Sequence, residues 1–312
     1  MPGTERNRSV FITGGTGFIG RHVLAALRRE GWSNVTCLTR QLPPSLPSSD
    51  PDPGWKYLLG DLAHPETYAS SLAGVDVVVH LAAATGSASN DALRRINVEA
   101  TAMLLQACES QGVRHILYVS SIAAKYRDLE GYAYGQSKVA AEAAVRQSGL
   151  EYTILRPTIV LGTGSPIWQK LRTLATAPLI VVFGSGQTRV QPVDVEDVAR
   201  GILAILRRFR FASEVIELGG PEVLTFESLM RRIRAASRGG NGQAPIARLP
   251  VSPLRHLLKI AGVFLGAKLP ISPGQLSPFL NDGVADPSDL ATELKPQMRP
   301  LDTLLQRLAS VR

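Results

Sequence analysis

The side chains best equipped to move a proton in this 312-residue chain are Tyr134 and Lys138. They stand four positions apart in an alanine-rich stretch, so a helix sets both on one face. A phenol of ordinary pKa about 10 is a poor base near neutrality, but a neighbouring ammonium favours the phenolate and brings proton transfer into range. Upstream, Ser120 and Ser121 close an apolar run, where a hydroxyl can orient a substrate oxygen. Tyr126 and Tyr132 have no lysine four positions on. A lone Tyr-x-x-x-Lys also describes an ordinary surface helix pair, and the serine-ended strand before it gives this one its weight.

A second chemical feature lies near the N-terminus. The run Thr13-Gly14-Gly15-Thr16-Gly17-Phe18-Ile19-Gly20 follows an apolar strand and opens an amphipathic helix. Dinucleotide phosphates need a tight turn, close backbone approach and free amides at a helix start, which Gly14, Gly15, Gly17 and Gly20 supply. Both Gly-x-x-Gly-x-x-Gly and Gly-x-Gly-x-x-Gly spacings are met. Between a first strand and a first helix, the run predicts nucleotide binding.

The elements that position these residues alternate. Short apolar runs at Val10–Thr13, Val35–Thr39, Lys56–Leu59, Val75–Leu81, His115–Ser120 and Tyr152–Arg156 read as strands. Helical stretches fall at Gly17–Glu30, Pro65–Leu72, Asp91–Gln111 and Tyr134–Gln147. This pattern predicts an α/β fold of the Rossmann type, a doubly wound parallel sheet with a smaller C-terminal substrate lobe. Residues 1–160 form the dinucleotide-binding core in this reading, and 161–312 complete it and build the lobe. The Pro- and Ser-rich stretch Gln41–Pro53 reads as a surface loop. Further on, Val193–Arg208 runs from acids to arginines as a helix dipole favours, Ile216–Leu218 is a strand, and another helix starts at Phe226.

In order, the chain also carries Gly60-Asp61-Leu62, His80-Leu81-Ala82-Ala83, Asn97-Val98, Tyr134-Gly135-Gln136-Ser137-Lys138, Arg156-Pro157-Thr158-Ile159-Val160 and Val193-Asp194-Val195-Glu196-Asp197. With the glycine run, this series resembles the extended and atypical short-chain dehydrogenases/reductases. It is similar to their epimerase/dehydratase-like members, dihydroflavonol reductases and the complex I accessory-subunit group. The resemblance implies that Gly14, Gly17, Phe18, Ile19 and Gly20 hold the pyrophosphate end and that Asp61 and Leu62 meet the adenine. Ala82 and Ala83 would line the cofactor, and Pro157, Thr158 and Val160 would flank the nicotinamide. It further implies that Tyr134 and Lys138 contact the cofactor while Tyr134 acts as acid/base, with Ser121 preferred over Ser120 as third catalytic residue. Plainer readings stand beside these: Asp61 as a turn-capping aspartate, the alanines as close helix packing, Asn97 as an ordinary polar helix residue. The gap from Ser121 to Tyr134 is shorter than usual for the extended enzymes, which implies a more open substrate wall at Ile122–Tyr132.

The second strand ends Leu38-Thr39-Arg40, without the acid that NAD-specific Rossmann proteins present to the ribose. Arg40 suits a ribose phosphate, so NADP is favoured over NAD, although an exposed arginine flanking a loop looks the same. A net charge of +8 fits an anionic cofactor. The arginines at 207, 208, 210, 231, 232 and 234 read as solvated helix faces, and no zinc or RNA signature argues for nucleic acid. Two cysteines, Cys37 and Cys108, make neither a disulfide framework nor a metal cluster, and the polar start predicts a cytoplasmic protein.

No run reaches the roughly 20 apolar residues of a membrane span. The stretch Leu257–Leu269 is broken by Lys259 and Lys268. Leu254, Leu257, Leu258, Ile260, Val263, Phe264 and Leu265, followed by Pro270, Pro273 and Pro278, make either ordinary core or the roof of an apolar pocket. Together these features predict an NADP-dependent ketone or enone reductase of a hydrophobic small molecule; the resemblance implies a monomer or homodimer. The alternatives are a sugar-nucleotide epimerase holding NAD tightly and a non-catalytic NADPH-binding assembly subunit. A 4,6-dehydratase is disfavoured, because Ile122 and Ala123 stand where that group places an acid pair.

Overall fold

A computed structural model describes residues 5–42, 54–85, 88–209, 211–239, 242–265 and 273–310. Residues 43–53 of the Pro- and Ser-rich loop, Arg210, Pro270 and the side chains of residues 259–269 lie outside the described residues. In chain order the first half comprises β1 (Val10–Thr13), α1 (Phe18–Arg29), β2 (Val35–Thr39), β3 (Trp55–Leu59), β4 (Val77–His80), α2 (Asn90–Leu93), α3 (Ala100–Ser110), β5 (His115–Val119), α4 (Ala133–Gln147) and β6 (Glu151–Pro157). There follow β7 (Val160–Leu161), α5 (Pro166–Thr176), β8 (Ile180–Phe183), β9 (Arg189–Val190), β10 (Val193–Asp194), α6 (Val195–Arg208), β11 (Glu214–Leu218) and β12 (Leu224–Thr225). The chain closes with α7 (Phe226–Arg238), β13 (Ile246–Leu249), α8 (Val251–Leu265), α9 (Asp289–Leu294) and α10 (Leu301–Ser310).

Seven strands make the main sheet in the order β11-β6-β5-β4-β1-β2-β3. β1 pairs in parallel with β2 on one side and β4 on the other, so the strand order reverses at β1. Crevices at such a reversal are where open α/β sheets bind ligands. β1 and β4 are fully buried, as their unbroken apolar runs require when helices cover both faces. The Rossmann-like α/β fold read from the alternation is the one observed.

Two compact units divide the chain. One comprises Met1–Ser121, Ser137–Arg156 and Val198–Ile216; the other comprises Ile122–Gln136, Pro157–Asp197 and Glu217–Arg312. The first is centred on Phe11, Val78, Leu104, Ile116, Tyr118 and Ile154, all essentially inaccessible. Each large apolar side chain so buried contributes about 1.5–3 kcal/mol. The second has its own core of Trp168, Leu171, Leu229, Ile233, Leu304 and Leu305. Here the buried Asp194 is bonded by Arg299 and by Arg307, the latter at 3.0 Å, which fixes the last helix. Among the described residues no helix is long and apolar enough to cross a membrane.

Several local boundaries differ from the sequence reading. Pro65–Leu72 forms two 3-10 turns, Pro65–Thr67 and Ala69–Leu72, separated at Tyr68, which adopts φ −142° and has its ring buried beside Phe11. The helix read as Asp91–Gln111 contains a π stretch at Arg94–Glu99. Val193 and Asp194 extend as β10 against β7, so the following helix begins at Val195.

Candidate active site

The glycine turn sits where the sheet order reverses. Gly14 has φ +72°, and a Cβ there would lie 2.5 Å from the Ala82 nitrogen, so the turn touches the chain leaving β4. A Cβ at Gly20 would lie 2.1 Å from the Gly14 carbonyl oxygen, which lets α1 start directly under the turn. Gly17 is the N-cap of α1; it offers no side-chain cap, and the first turn holds no acid. Phe18 and Ile19, both half-buried, open the helix. Amides left without side-chain partners at a helix start attract anions.

A buried polar chain ties this turn to the rest of its unit. Thr13, His80 and Tyr118 occupy adjacent register positions on β1, β4 and β5. The bond directions follow from one fixed donor: Thr101 Oγ1 donates to the Asn97 carbonyl at 2.8 Å, so it accepts from His80 Nε2 at 2.9 Å. His80 Nδ1 is then an acceptor, and Thr13 Oγ1 donates to it at 2.6 Å while accepting from the Ala82 amide at 3.4 Å. Burial pushes the His80 pKa down to about 3, with the Lys138 charge adding to the effect, so the ring stays neutral. Asn97, at the π stretch, accepts from the Ala84 amide at 2.7 Å and donates to the Ala84 carbonyl and to Ser137 Oγ, each at 3.0 Å. The segment holding Ala82 and Ala83 is thereby fixed at both ends, and π stretches of this kind frequently mark functional sites.

Tyr134 and Lys138 both lie on α4. Lys138 is 2% exposed; Nζ donates to the Val119 carbonyl at 3.1 Å and to the Tyr118 hydroxyl at 3.3 Å. Burial pulls its pKa down to about 8, against the opposing pull of Glu142. One turn later Glu142, also buried, accepts from Ser120 Oγ at 2.7 Å and from Arg156 at 2.7 and 2.8 Å. Ser120 is therefore committed to Glu142. Ser121 follows it at the end of β5, half-buried.

Tyr134 stands in a row of tyrosines. Its ring lies 6.0 Å from that of Tyr132, which lies 6.3 Å from Tyr126. Burial first, then the proximity of Tyr134, raises the Tyr126 pKa to about 12; the same causes raise Tyr132, so both remain protonated. Gly135 makes the row possible, since a Cβ there would meet Leu129 at 2.5 Å and the Tyr132 ring at 2.7 Å. Arg255 from α8 pairs with Asp128 and Asn281 accepts from the Arg127 amide at 2.9 Å, clasping the segment that carries Tyr126.

The remaining predicted residues are divided between the two units. Arg40 is exposed at the end of β2. Asp61 is half-buried and caps a turn by accepting from the Ala63 amide at 3.0 Å, while Leu62 packs into the core. Pro157 and Thr158 are buried; Thr158 donates to the Gln191 carbonyl, and Val160 pairs with Val193. Sequence reasoning gave no role to Tyr118, Thr101 or Glu142. Tyr118 lies inside the apolar run Ile116–Val119 and carries no spacing signal toward Lys138.

Comparison with known proteins identifies relatives of this chain. Ceramide reductase of Caulobacter vibrioides is 33% identical over 210 residues, which cover 65% of this chain and 62% of the reductase. Mitochondrial NADH dehydrogenase (ubiquinone) 1 alpha subcomplex subunit 9 of Arabidopsis thaliana is 30% identical over 234 residues, 70% of this chain and 55% of that subunit. The chain thus spans less than two thirds of either relative. The dTDP-glucose 4,6-dehydratase DesIV of Streptomyces venezuelae, solved with NAD and TYD bound, superposes with a TM-score of 0.63 at 25% identity, covering 78% of this chain and 84% of that one. The model of the NAD dependent epimerase/dehydratase family matches residues 10–219, and the chain belongs to that family.

Proposed function

We propose that this protein is an NADP-dependent oxidoreductase that reduces the carbonyl of a hydrophobic small molecule, with Tyr134 as acid/base. The observation that carries the reading is Lys138, a buried lysine one helical turn from Tyr134 whose pKa is drawn down to about 8. Buried lysines are costly, and perturbed ones concentrate at functional sites.

The residues present fit a dinucleotide. Gly14, Gly17, Phe18, Ile19 and Gly20 would hold the pyrophosphate through backbone donors; Asp61 and Leu62 would meet the adenine, and Arg40 a 2′-phosphate. Ala82 and Ala83 would line the cofactor, and Pro157, Thr158 and Val160 would flank its nicotinamide end. When bound, the cofactor supplies the hydride. Tyr134 donates the proton to the carbonyl oxygen that Ser121 orients. The Lys138 ammonium stabilises the phenolate left behind, until solvent returns a proton to it. Likeness to ceramide reductase supports both a reductase and an apolar substrate.

A second reading rests on the likeness to a complex I subunit, namely that the chain binds NADPH as an assembly subunit without turnover. Replacing Tyr134 by Phe separates the two. The acid/base reading expects a fall in turnover of about 10²–10⁴ on a panel of hydrophobic ketones, with NADPH binding retained. Should Tyr134→Phe leave cellular function intact while Gly17→Trp abolishes it, the assembly reading replaces the enzyme.

A further inference from the structure

The pose of Lys138 needs a physical cause. An ammonium withdrawn from water keeps its charge only if its donors find acceptors, and each unmet donor would favour the neutral amine. Two acceptors are at hand, both on β5: the Val119 carbonyl at 3.1 Å and the Tyr118 hydroxyl at 3.3 Å. The ammonium also lies 5.0 Å from the centre of the Tyr118 ring, within the range where an aromatic quadrupole attracts a cation.

Tyr118 is itself held. It is 1% exposed, and its ring stacks on that of His80 with centroids 5.4 Å apart and planes 28° apart. Register makes the stack: His80 and Tyr118 are direct neighbours on β4 and β5, and Thr13 is the neighbour of His80 on β1. His80 cannot rotate without breaking its bonds to Thr13 and Thr101, so the ring beneath Tyr118 is fixed on both edges. A continuous buried row therefore runs from the residue before Gly14, through His80 and Tyr118, to Lys138.

We propose that Tyr118 is a positioning residue for Lys138, holding the ammonium in one buried pose and passing the placement of the glycine turn to it through the His80 stack. The proposal rests on the reading of Lys138 as the partner of Tyr134, and nothing in the family match assigns Tyr118 a role. Other groups facing Lys138 within its unit are His80 on β4, which stays neutral, and Glu142 on its own helix, whose charge is shared with Arg156 from β6 and Arg146. Tyr118 supplies a hydroxyl oxygen directly to the ammonium.

The test is Tyr118→Phe, which keeps the ring, the stack and the burial and removes one oxygen. Lys138 is followed by the pH dependence of its side-chain ¹³Cε resonance in lysine-labelled protein without added cofactor, assigned with Lys138→Met. Loss of the acceptor removes support from the charged form, so the midpoint falls from about 8 by about one pH unit or more. The alkaline limb of kcat/KM moves with it. An unchanged midpoint overturns the proposal, even if Tyr134 proves essential. A shifted midpoint together with full turnover in Tyr134→Phe sinks the acid/base reading and leaves the positioning role standing. As a second measurement in protein with its native fold, 3-fluorotyrosine at position 118 gives a ¹⁹F resonance that tracks the Lys138 titration; a flat response refutes the contact.

Discussion

Adding one methyl group at Gly14 tests whether the turn and the end of β4 are in contact. At φ +72° an L side chain carries a penalty of about 1–2 kcal/mol, partly offset because alanine also restricts the unfolded chain by about 0.4–1 kcal/mol. Gly31 isolates that contribution: it has φ +76° and open space around its Cβ position. Gly31→Ala should cost roughly 0.5–1 kcal/mol. At Gly14 the new carbon would sit 2.5 Å from the Ala82 nitrogen and 2.7 Å from both Ala82 Cα and the Leu81 carbonyl carbon. Carbon contacts settle near 3.5–4.0 Å, so the backbone must retreat by about 1 Å, and overpacking of that kind costs about 1–3 kcal/mol.

The sum for Gly14→Ala is therefore about 1.5–4 kcal/mol, a fall in Tm of roughly 2–6 °C against about 1 °C for Gly31→Ala. Gly17→Ala completes the series from the other side. Its φ of −74° suits any residue, and its Cβ meets only the Gly14 carbonyl oxygen at 3.1 Å, so the melt should hardly move. The methyl would nevertheless stand at the start of α1, and NADPH affinity should fall about tenfold or more. Differential scanning fluorimetry with and without NADPH, combined with nucleotide fluorescence titration, reads both quantities. If Gly14→Ala melts within 1 °C of Gly31→Ala, the close approach is wrong. If Gly17→Ala binds NADPH like the parent, the cofactor does not lie over this turn.

Two further changes address selectivity and acid stability. Arg40→Ala should raise the Kd for NADPH about 10- to 100-fold and leave that for NADH within about twofold, measured by calorimetry, because a charge-assisted bond to phosphate is worth about 1.5–3 kcal/mol. Equal losses for both nucleotides would return Arg40 to an ordinary surface arginine. Glu142 is opposed by burial, yet its bonds to Arg156, Ser120 and Arg146 outweigh that and hold its pKa below the usual carboxylate value of 4.5. A folded pKa below the unfolded one gives stability that is full above pH about 4.5 and is lost as pH falls through the folded value. Glu142→Gln should thus cost about 3–5 kcal/mol at pH 7, and thermal melts should show a shallower decline below pH 4.5 than the parent. Parallel declines would mean that other carboxylates govern acid unfolding.

What could be read in advance was what the chain encodes locally. The glycine run announces a strand-turn-helix because the three elements are contiguous, and β1, β2 and β5 fall where their apolar runs do. Helical spacing also places Lys138 one turn beyond Tyr134 without any tertiary information. The contacts that hold Lys138 are of another kind. Tyr118 is 20 residues away and Glu142 reaches Arg156 across 14, so no periodicity connects them. Tyr68 likewise splits a helical pattern with an extended φ where its ring is buried, and Asn97 accompanies a π stretch by bonding outside its own helix.

The resemblance prefers Ser121 to Ser120, and those long-range contacts bear on that preference. Ser120 and Ser121 are equivalent as text, two hydroxyls at the end of one strand. Ser120 donates to Glu142, whose remaining acceptor capacity is taken by Arg156 and Arg146, and removing that hydroxyl would leave a buried carboxylate short of one donor. A residue so engaged cannot also follow a substrate oxygen through a reaction without weakening a buried ion pair. Ser120 is thereby a poor candidate for the orienting role proposed for Ser121, and the same network supplies the negative charge that favours the buried Lys138 ammonium.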